Sequence, residues 1–321
     1  MKQTQTAKNP FPYSDSNKRY YTYDYYLKKT FGGKCAKIPI DAGFTCPNID
    51  GRCGVGGCIY CSARGSGDFA ASGLSVTEQY RVTRERLSSK WSTARCIPYF
   101  QAHTNTYAPT SRLRELFEEA LSLPDVVGLN IATRADCLED ETVAYLAQLA
   151  ERTTLTVELG LQSTNDQTAA LINRGHTFAE FVAGYGKLRA ASSRIGICVH
   201  LIFGLPDEDE ATMLRSVREV AALQPDQVKL HLLHVLHSSR LGEIYERGEY
   251  QPMERESYID VVTKALTLLP PETVIARLTG DGMAEDLLAP EWSRKKVSVI
   301  NDIDKRMYEL DLWQGKYFKE R

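Results

Sequence analysis

The sequence predicts an α/β fold in which parallel strands build a barrel or part of one. Short apolar runs alternate with amphipathic helical segments for roughly seven repeats, as βα units do when strands lie inside and helices outside. No G-x-G-x-x-G opens the first helix, which disfavours the dinucleotide-binding form of the alternative, an open doubly wound sheet. No Pro/Gly/Ser-rich linker or low-complexity tract divides the 321 residues, so one compact domain is the simplest organisation.

Residues 1–34 are polar and tyrosine-rich, and "YYTYDYYLKKTFG" (20–32) reads as an aromatic extension packed on the main domain. "KCAKIPIDAG" (34–43) alternates and then breaks at Gly43, a strand leading into a cysteine-rich loop. Residues 77–91 form a charged helical segment. A strand at 96–102 precedes a helix at 110–123 with Thr110 or Ser111 near its cap. Strand 126–133, helix 139–152 and strand 154–162 follow, then a helix over 164–175 that ends at Gly175. Helix 177–191 leads to strand 195–206, and helix 209–223 to strand 226–235. After a less regular stretch come helix 254–269 and strand 272–280, with short helical potential around 281–290 and 304–311.

The composition, 43% hydrophobic and 25% charged, is that of an ordinary globular protein. No run of about twenty apolar residues is present, so no membrane-spanning helix is expected. The first residues lack the apolar core of a secretory signal, which makes a cytoplasmic location the expectation. In a reducing compartment the eight cysteines read as buried residues or metal ligands rather than disulfides. A net charge of −2 carries no global nucleic-acid signature. Local basic candidates stand at "WSRKK" (292–296) and "KYFKER" (316–321), and solvated surface is their plainer reading.

Four cysteines fall in "CPNIDGRCGVGGCIYC" (46–61), just after the first strand, at the strand end where barrel enzymes build active sites. Tetrahedral zinc would use all four. Cys58-x-x-Cys61 makes one tight knuckle, whereas six residues separate Cys46 from Cys53, a poor second one. A cluster held by three thiolates asks for two close ligands on a turn and a third from the start of the loop. Cys46, Cys58 and Cys61 fit, leaving one iron open for a small-molecule ligand, and the loop glycines let backbone amides approach the sulfides. Tyr60, between the paired cysteines, is an aromatic placed to lie over such a ligand.

These residues resemble the radical S-adenosylmethionine (SAM) superfamily. "DAGFTCPNIDGRCGVGGCIYCSARGSGDF" (41–69) is similar to the small bacterial members related to the catalytic subunit of Elongator. The likeness continues through "PYFQAHTNTYAP" (98–109), "ATRADCL" (132–138, with Ala135 in place of proline) and "VELGLQSTNDQTAALINRGHT" (157–177). It extends to "VHLIFGLPDED" (199–209) and "KLHLLHVLHSSRLGEIYERGEY" (229–250). The resemblance implies a partial (β/α)6-type TIM barrel over 35–280, between extensions at 1–34 and 281–321. It implies a 4Fe–4S cluster on Cys46, Cys58 and Cys61, with Cys53 outside the ligand set, and SAM as the ligand of the open iron. Reductive cleavage of SAM to methionine and a 5′-deoxyadenosyl radical is the chemistry it implies.

By the same resemblance Glu158, Gln162 and Arg174 match positions that contact SAM, and Gln101, Arg134 and His200 are further candidates. A strand-end Gln suits ribose hydroxyls, and an Arg can fork onto a carboxylate. Each has a structural alternative: a strand-end charge for Glu158, a helix-dipole partner for Arg174, a satisfied core residue for His200. His231, His234 and His237 invite a metal reading, but strand alternation would set His231 opposite His234. His231 and Asp281 are mouth candidates, and Cys35, Cys96, Cys137 and Cys198 read as small buried residues.

For the substrate, the resemblance implies tRNA. The expected reaction is processing of a wobble-uridine carboxymethylaminomethyl side chain toward aminomethyluridine, with a reductant such as flavodoxin or ferredoxin. Arg277, Arg294, Lys295 and Lys296 would then form a basic rim at the mouth. The rivals are a radical SAM enzyme acting on a small metabolite or peptide, and a non-enzymatic zinc- or cluster-bearing RNA-binding or sensor protein.

Overall fold

The computed structural model describes residues 9–65, 67–88, 95–280 and 285–319. The chain enters through α1 (Tyr23–Phe31), capped by the Thr22 hydroxyl and stopped by Gly32 in the left-handed region at φ 70°. Strand β1 (Cys35–Ile40) follows, then the cysteine loop and α2 (Val76–Ser88). Next come β2 (Arg95–Phe100), α3 (Thr110–Leu121), β3 (Gly128–Thr133), α4 (Asp140–Ala150) and β4 (Thr154–Gln162). Two helices, α5 (Asp166–Leu171) and α6 (Phe178–Ala191), lead to β5 (Gly196–Phe203), α7 (Glu210–Ala222) and β6 (Gln227–Leu232). The short β7 (Val235–Leu236), α8 (Arg240–Glu246), α9 (Arg255–Leu268) and β8 (Val274–Arg277) complete the barrel region. Strand β9 (Leu287–Ala289), a 3-10 turn at Glu291–Lys295 and α10 (Lys296–Glu309) close the chain.

Seven strands pair in parallel in the order β1-β2-β3-β4-β5-β6-β8 and curl into a half-barrel, while β7 and β9 form a separate antiparallel pair. The expected partial barrel is therefore present, with β8 as a seventh strand. β4 shows how the sequence builds it. Leu155, Val157, Leu159 and Leu161 are at most 1% exposed and meet the outer helices, while the alternate Thr156, Glu158, Gly160 and Gln162 occupy the lumen face. Phe100 of β2 meets Phe117 of α3 edge-on, and Phe117 stacks on Tyr145 of α4.

The termini finish the barrel. Tyr23, Tyr26, Leu27 and Phe31 of α1 pack on Cys35, Ile97 and Val127 at the strands' N-terminal ends. Thr22 bridges Ile275 in parallel, so this segment spans the gap from β8 to β1. The C-terminal segment holds it there. Arg19 contacts Asp311 and Leu312 O, and Tyr21 N–H bonds the Gln314 side chain.

Several local expectations change. Thr110 stands next to the cap of α3, which is Pro109; the proline ring presets the entry, and the Thr110 hydroxyl pairs with that of Thr142. The helix expected to reach Gly175 stops at Leu171. Asn173, at φ 54°, turns the chain there so that its side chain can hold the cysteine loop. Within 281–290 the helical expectation fails: Leu287–Ala289 is a strand that pairs with β7, and residues 281–284 lie outside the described residues. The end of the 77–91 helix beyond Ser88 also lies outside them. The last helix starts at Lys296, well before the expected 304.

Candidate active site

The cysteine loop leaves β1 at the C-terminal end of the strands, and backbone and amide bonds shape it. Gly57 N–H bonds Asn48 O at 2.9 Å and Ile59 N–H bonds Ile172 O at 3.1 Å. Asn48 Nδ2 donates to Asn173 O at 2.9 Å, and Asn173 Nδ2 donates to Val55 O (2.9 Å) and Gly57 O (2.6 Å).

Within that frame three thiols converge. Asn48 Nδ2 donates to Cys58 Sγ at 3.3 Å, and Thr104 Oγ1 lies 3.0 Å from Cys46 Sγ. A bond from Cys61 draws the buried Cys58 thiol well below its ordinary value, aided by Arg174, Tyr60 and Asn48. The same bond, with burial, pushes Cys61 up. Burial also raises Cys46, with Thr104 opposing. Cys53, an exposed residue, turns to Arg134 Nη2 at 3.5 Å.

Arg174 joins this cluster to β4. Its Nη2 donates to Gly160 O at 2.5 Å and its Nη1 lies 3.8 Å from Cys58 Sγ, while Nε is buried with no partner. A buried guanidinium N–H is costly to leave unpaired, so its lack of a protein acceptor suits a site built around a bound anionic group. Gln162 lies beside it. A Cβ on Gly160 would come 2.8 Å from Gln162 Nε2 and 3.0 Å from Arg174 Nη2, so glycine is what lets both side chains close over the strand. Three converging thiols, an unpaired Arg174 N–H and an aromatic Tyr60 in contact with Cys58 fit a thiolate-held cluster carrying SAM.

The other candidates fall differently. Arg134 is buried: it forks onto Asp136 (2.9 and 2.7 Å) and braces Arg174 O (2.6 Å) and Gly175 O (3.2 Å). Gln101 is half-buried beyond β2, and its N–H bonds Ile40 O at 3.1 Å. Glu158 lies deeper, at 0% exposure. Its Oε1 accepts from Lys37 (2.8 Å) and Asn130 (2.7 Å), its Oε2 from Tyr99 (2.9 Å), His200 (2.8 Å) and Lys229. Burial alone would raise this carboxyl, but Lys229 and Lys37 overcome it and hold it well below the usual range. Burial and then Lys229 push His200 down to about 4, so the ring is neutral.

Sequence reasoning missed Lys37, Tyr99, Asn130 and Lys229, which arise from β1, β2, β3 and β6. The available signal was a lysine in mid-strand in "CAKIPI" and "QVKLHL". The expected opposition of His231 and His234 also fails. β6 ends at Leu232, alternation ends with it, and both rings lie against the position of Gly280. His237 is exposed near Glu246, so the three histidines form no common site. Of the four rim cations, Arg294 and Lys295 are exposed, Lys296 is half-buried, and Arg277 lies near Lys229 and His231 in the lumen. Asp281 lies outside the described residues.

A parallel half-barrel with a three-thiol loop after its first strand defines a class. Residues 49–220 match the radical SAM superfamily and residues 225–309 the radical SAM C-terminal domain, so the chain belongs to the radical SAM superfamily, enzymes that use a 4Fe–4S cluster and SAM. More particularly, it is 46% identical over 312 residues to YtqA of Bacillus subtilis, covering 97% of this chain and 96% of that one. It is 30% identical over 159 residues to a tRNA uridine(34) acetyltransferase of Methanocaldococcus jannaschii, 48% of this chain and 28% of that one. The solved archaeal Elp3 of Methanocaldococcus infernus shares the fold, with a TM-score of 0.66 at 19% identity over 88% of this chain and 64% of that one. Among the described residues no helix is long and apolar enough to cross a membrane.

Proposed function

We propose that this radical SAM enzyme acts on the wobble uridine of tRNA, converting a carboxymethylaminomethyl side chain toward aminomethyluridine. Cys46, Cys58 and Cys61 would hold the cluster and Cys53 would stand apart. Together the cluster and SAM supply, when bound, an electron and a 5′-deoxyadenosyl radical able to take hydrogen from a carbon beside nitrogen.

The chain's own residues prepare that site. Arg174 would offer its Nε, which has no protein acceptor, to the ligand and would offset thiolate charge beside Cys58. Gln162 offers a polar group for ribose hydroxyls, and Tyr60 shields the thiols from water. Gln101 lies at the β2 end of the same mouth. Arg134 acts through the backbone it braces at Arg174 and Gly175, and Glu158 and His200 act through the charge network beneath. The observation that carries the reading is the thiol triad beside an unpaired Arg174 N–H, in a chain of which 48% is similar to part of a tRNA uridine(34) acetyltransferase. Flavodoxin or ferredoxin would supply the electron in the cytoplasm.

Mass spectrometry of wobble nucleosides from a deletion strain tests it. Carboxymethylaminomethyluridine should accumulate and aminomethyluridine derivatives should vanish, and an unchanged profile rejects the tRNA substrate. Arg277's place in the lumen rather than with Arg294–Lys296 favours the second reading, a small metabolite or peptide substrate. That reading is adopted if nucleosides are unchanged while the reconstituted protein still yields 5′-deoxyadenosine.

A further inference from the structure

The lumen beneath the thiols holds two ammonium groups, Lys37 and Lys229, around the single carboxylate of Glu158. Lys37 also lies 4.7 Å from the ring centres of both Tyr23 and Tyr99, so Glu158 and two aromatic faces share its charge. Lys229 lies over the Tyr99 ring as well, 4.8 Å from its centre. Its ammonium touches Glu158 Oε2 and the Tyr99 hydroxyl (3.2 Å), and these two acceptors are fewer than its three N–H groups. Among the described residues, the rings beside it are neutral: His200 and His231 lie 5.2 Å apart. Although ringed by strands, Lys37 and His200 keep 22% and 14% of their side-chain surface accessible, so there is open space at this level. A buried cation surplus beside open space is costly unless an anion completes it.

We infer that the lumen binds an anionic group of the substrate, a carboxylate or a phosphate, against Lys229 on the His200–His231 side. Burial, with Lys37 and Arg277 acting the same way and Glu158 opposing, holds Lys229 at about 8, so a bound anion meets an ammonium at neutral pH. The inference deepens the proposed function, whose substrate carries a carboxylate two bonds from a secondary amine. It rests on that reading only for which carboxylate is bound.

Calorimetric titration of the reconstituted, SAM-saturated enzyme tests it, with sarcosine, dimethylamine and inorganic phosphate as probes. Sarcosine or phosphate should bind and dimethylamine should not; the preferred anion identifies the group. Binding should weaken at least tenfold in Lys229→Gln and persist in Lys229→Arg. If Lys229→Gln does not fold, the wild-type protein decides: sarcosine affinity should fall about tenfold from pH 7 to pH 9 as Lys229 loses its proton. Binding of neither anion, equal binding of dimethylamine, indifference to Lys229→Gln or to pH, or competition by SAM overturns the inference. Sarcosine binding beside unchanged tRNA nucleosides would keep the anion site and reject the uridine.

Discussion

Replacing Glu158 by glutamine isolates the charge at the centre of the lumen, because the new side chain has the same shape. The carboxylate is fully buried and accepts from five side chains, two of them lysines. An amide keeps one acceptor but turns its NH2 toward donors, and leaves two ammonium groups without their counter-charge. Removing one partner of a buried ion pair costs about 3–5 kcal/mol. Taking about 4 kcal/mol, melting should fall by roughly 6 °C at pH 7 in a chain of this size. The pH dependence gives the diagnostic sign. Lys229 titrates near 8 when folded, below its unfolded value, so its burial penalty is present in full at pH 7 and relaxes above about 8. With one ammonium already neutral, Glu158→Gln should cost less at pH 9 than at pH 7. Anaerobic circular-dichroism melts at both pH values measure this. A fall below about 3 °C at pH 7, or a larger loss at pH 9, would refute the charge argument.

Single Cys46→Ala, Cys58→Ala and Cys61→Ala variants should lose the cluster's brown absorbance and iron, whereas Cys53→Ala keeps both; equal loss in all four would overturn the three-ligand proposal. Arg174→Lys removes Nε and the fork, and should weaken SAM binding about 10- to 100-fold by equilibrium dialysis, at about 1.5–3 kcal/mol for a charged hydrogen bond. His176 and His200 titrate near 4 when folded because burial disfavours their cations, so the unfolded chain binds protons the native one refuses as pH falls below about 6.5. Stability should therefore drop by about 2 kcal/mol per histidine between pH 6.5 and 5, and urea midpoints for the wild type and His176→Asn should show one share disappearing. In Gly184→Ala the new Cβ would stand 2.1 Å from Ala135 O, which drives α6 off the end of β3; a loss of about 3 kcal/mol in urea is expected, and a neutral result would refute that packing.

The strand-helix alternation was legible because it is written locally, in short apolar runs such as those of β4, with Leu and Val on the helix-facing side. The cysteine loop was legible for the same reason, since its four cysteines sit within sixteen residues. The lumen network was not. Lys37 and Lys229 each look like an isolated polar interruption, and only curling the sheet brings residues 121 and 71 positions from Glu158 onto it. Arg134 shows another limit: its sequence context gives no sign that it braces Arg174 O and Gly175 O. β9 was missed because three residues that pair with a two-residue partner leave no periodicity to read.

The joining of the two ends across the base of the barrel bears on how the chain is made. Gln314 N–H bonds Arg19 O at 2.9 Å, and its side chain reaches Tyr21 N–H, Pro270 O and Thr273 O. During translation the aromatic segment emerges first, yet its clasp emerges nearly three hundred residues later. Ribosome-bound intermediates would therefore carry that segment on the first strands without its C-terminal clasp. Such closure is a late, long-range step that favours the finished chain over nascent fragments.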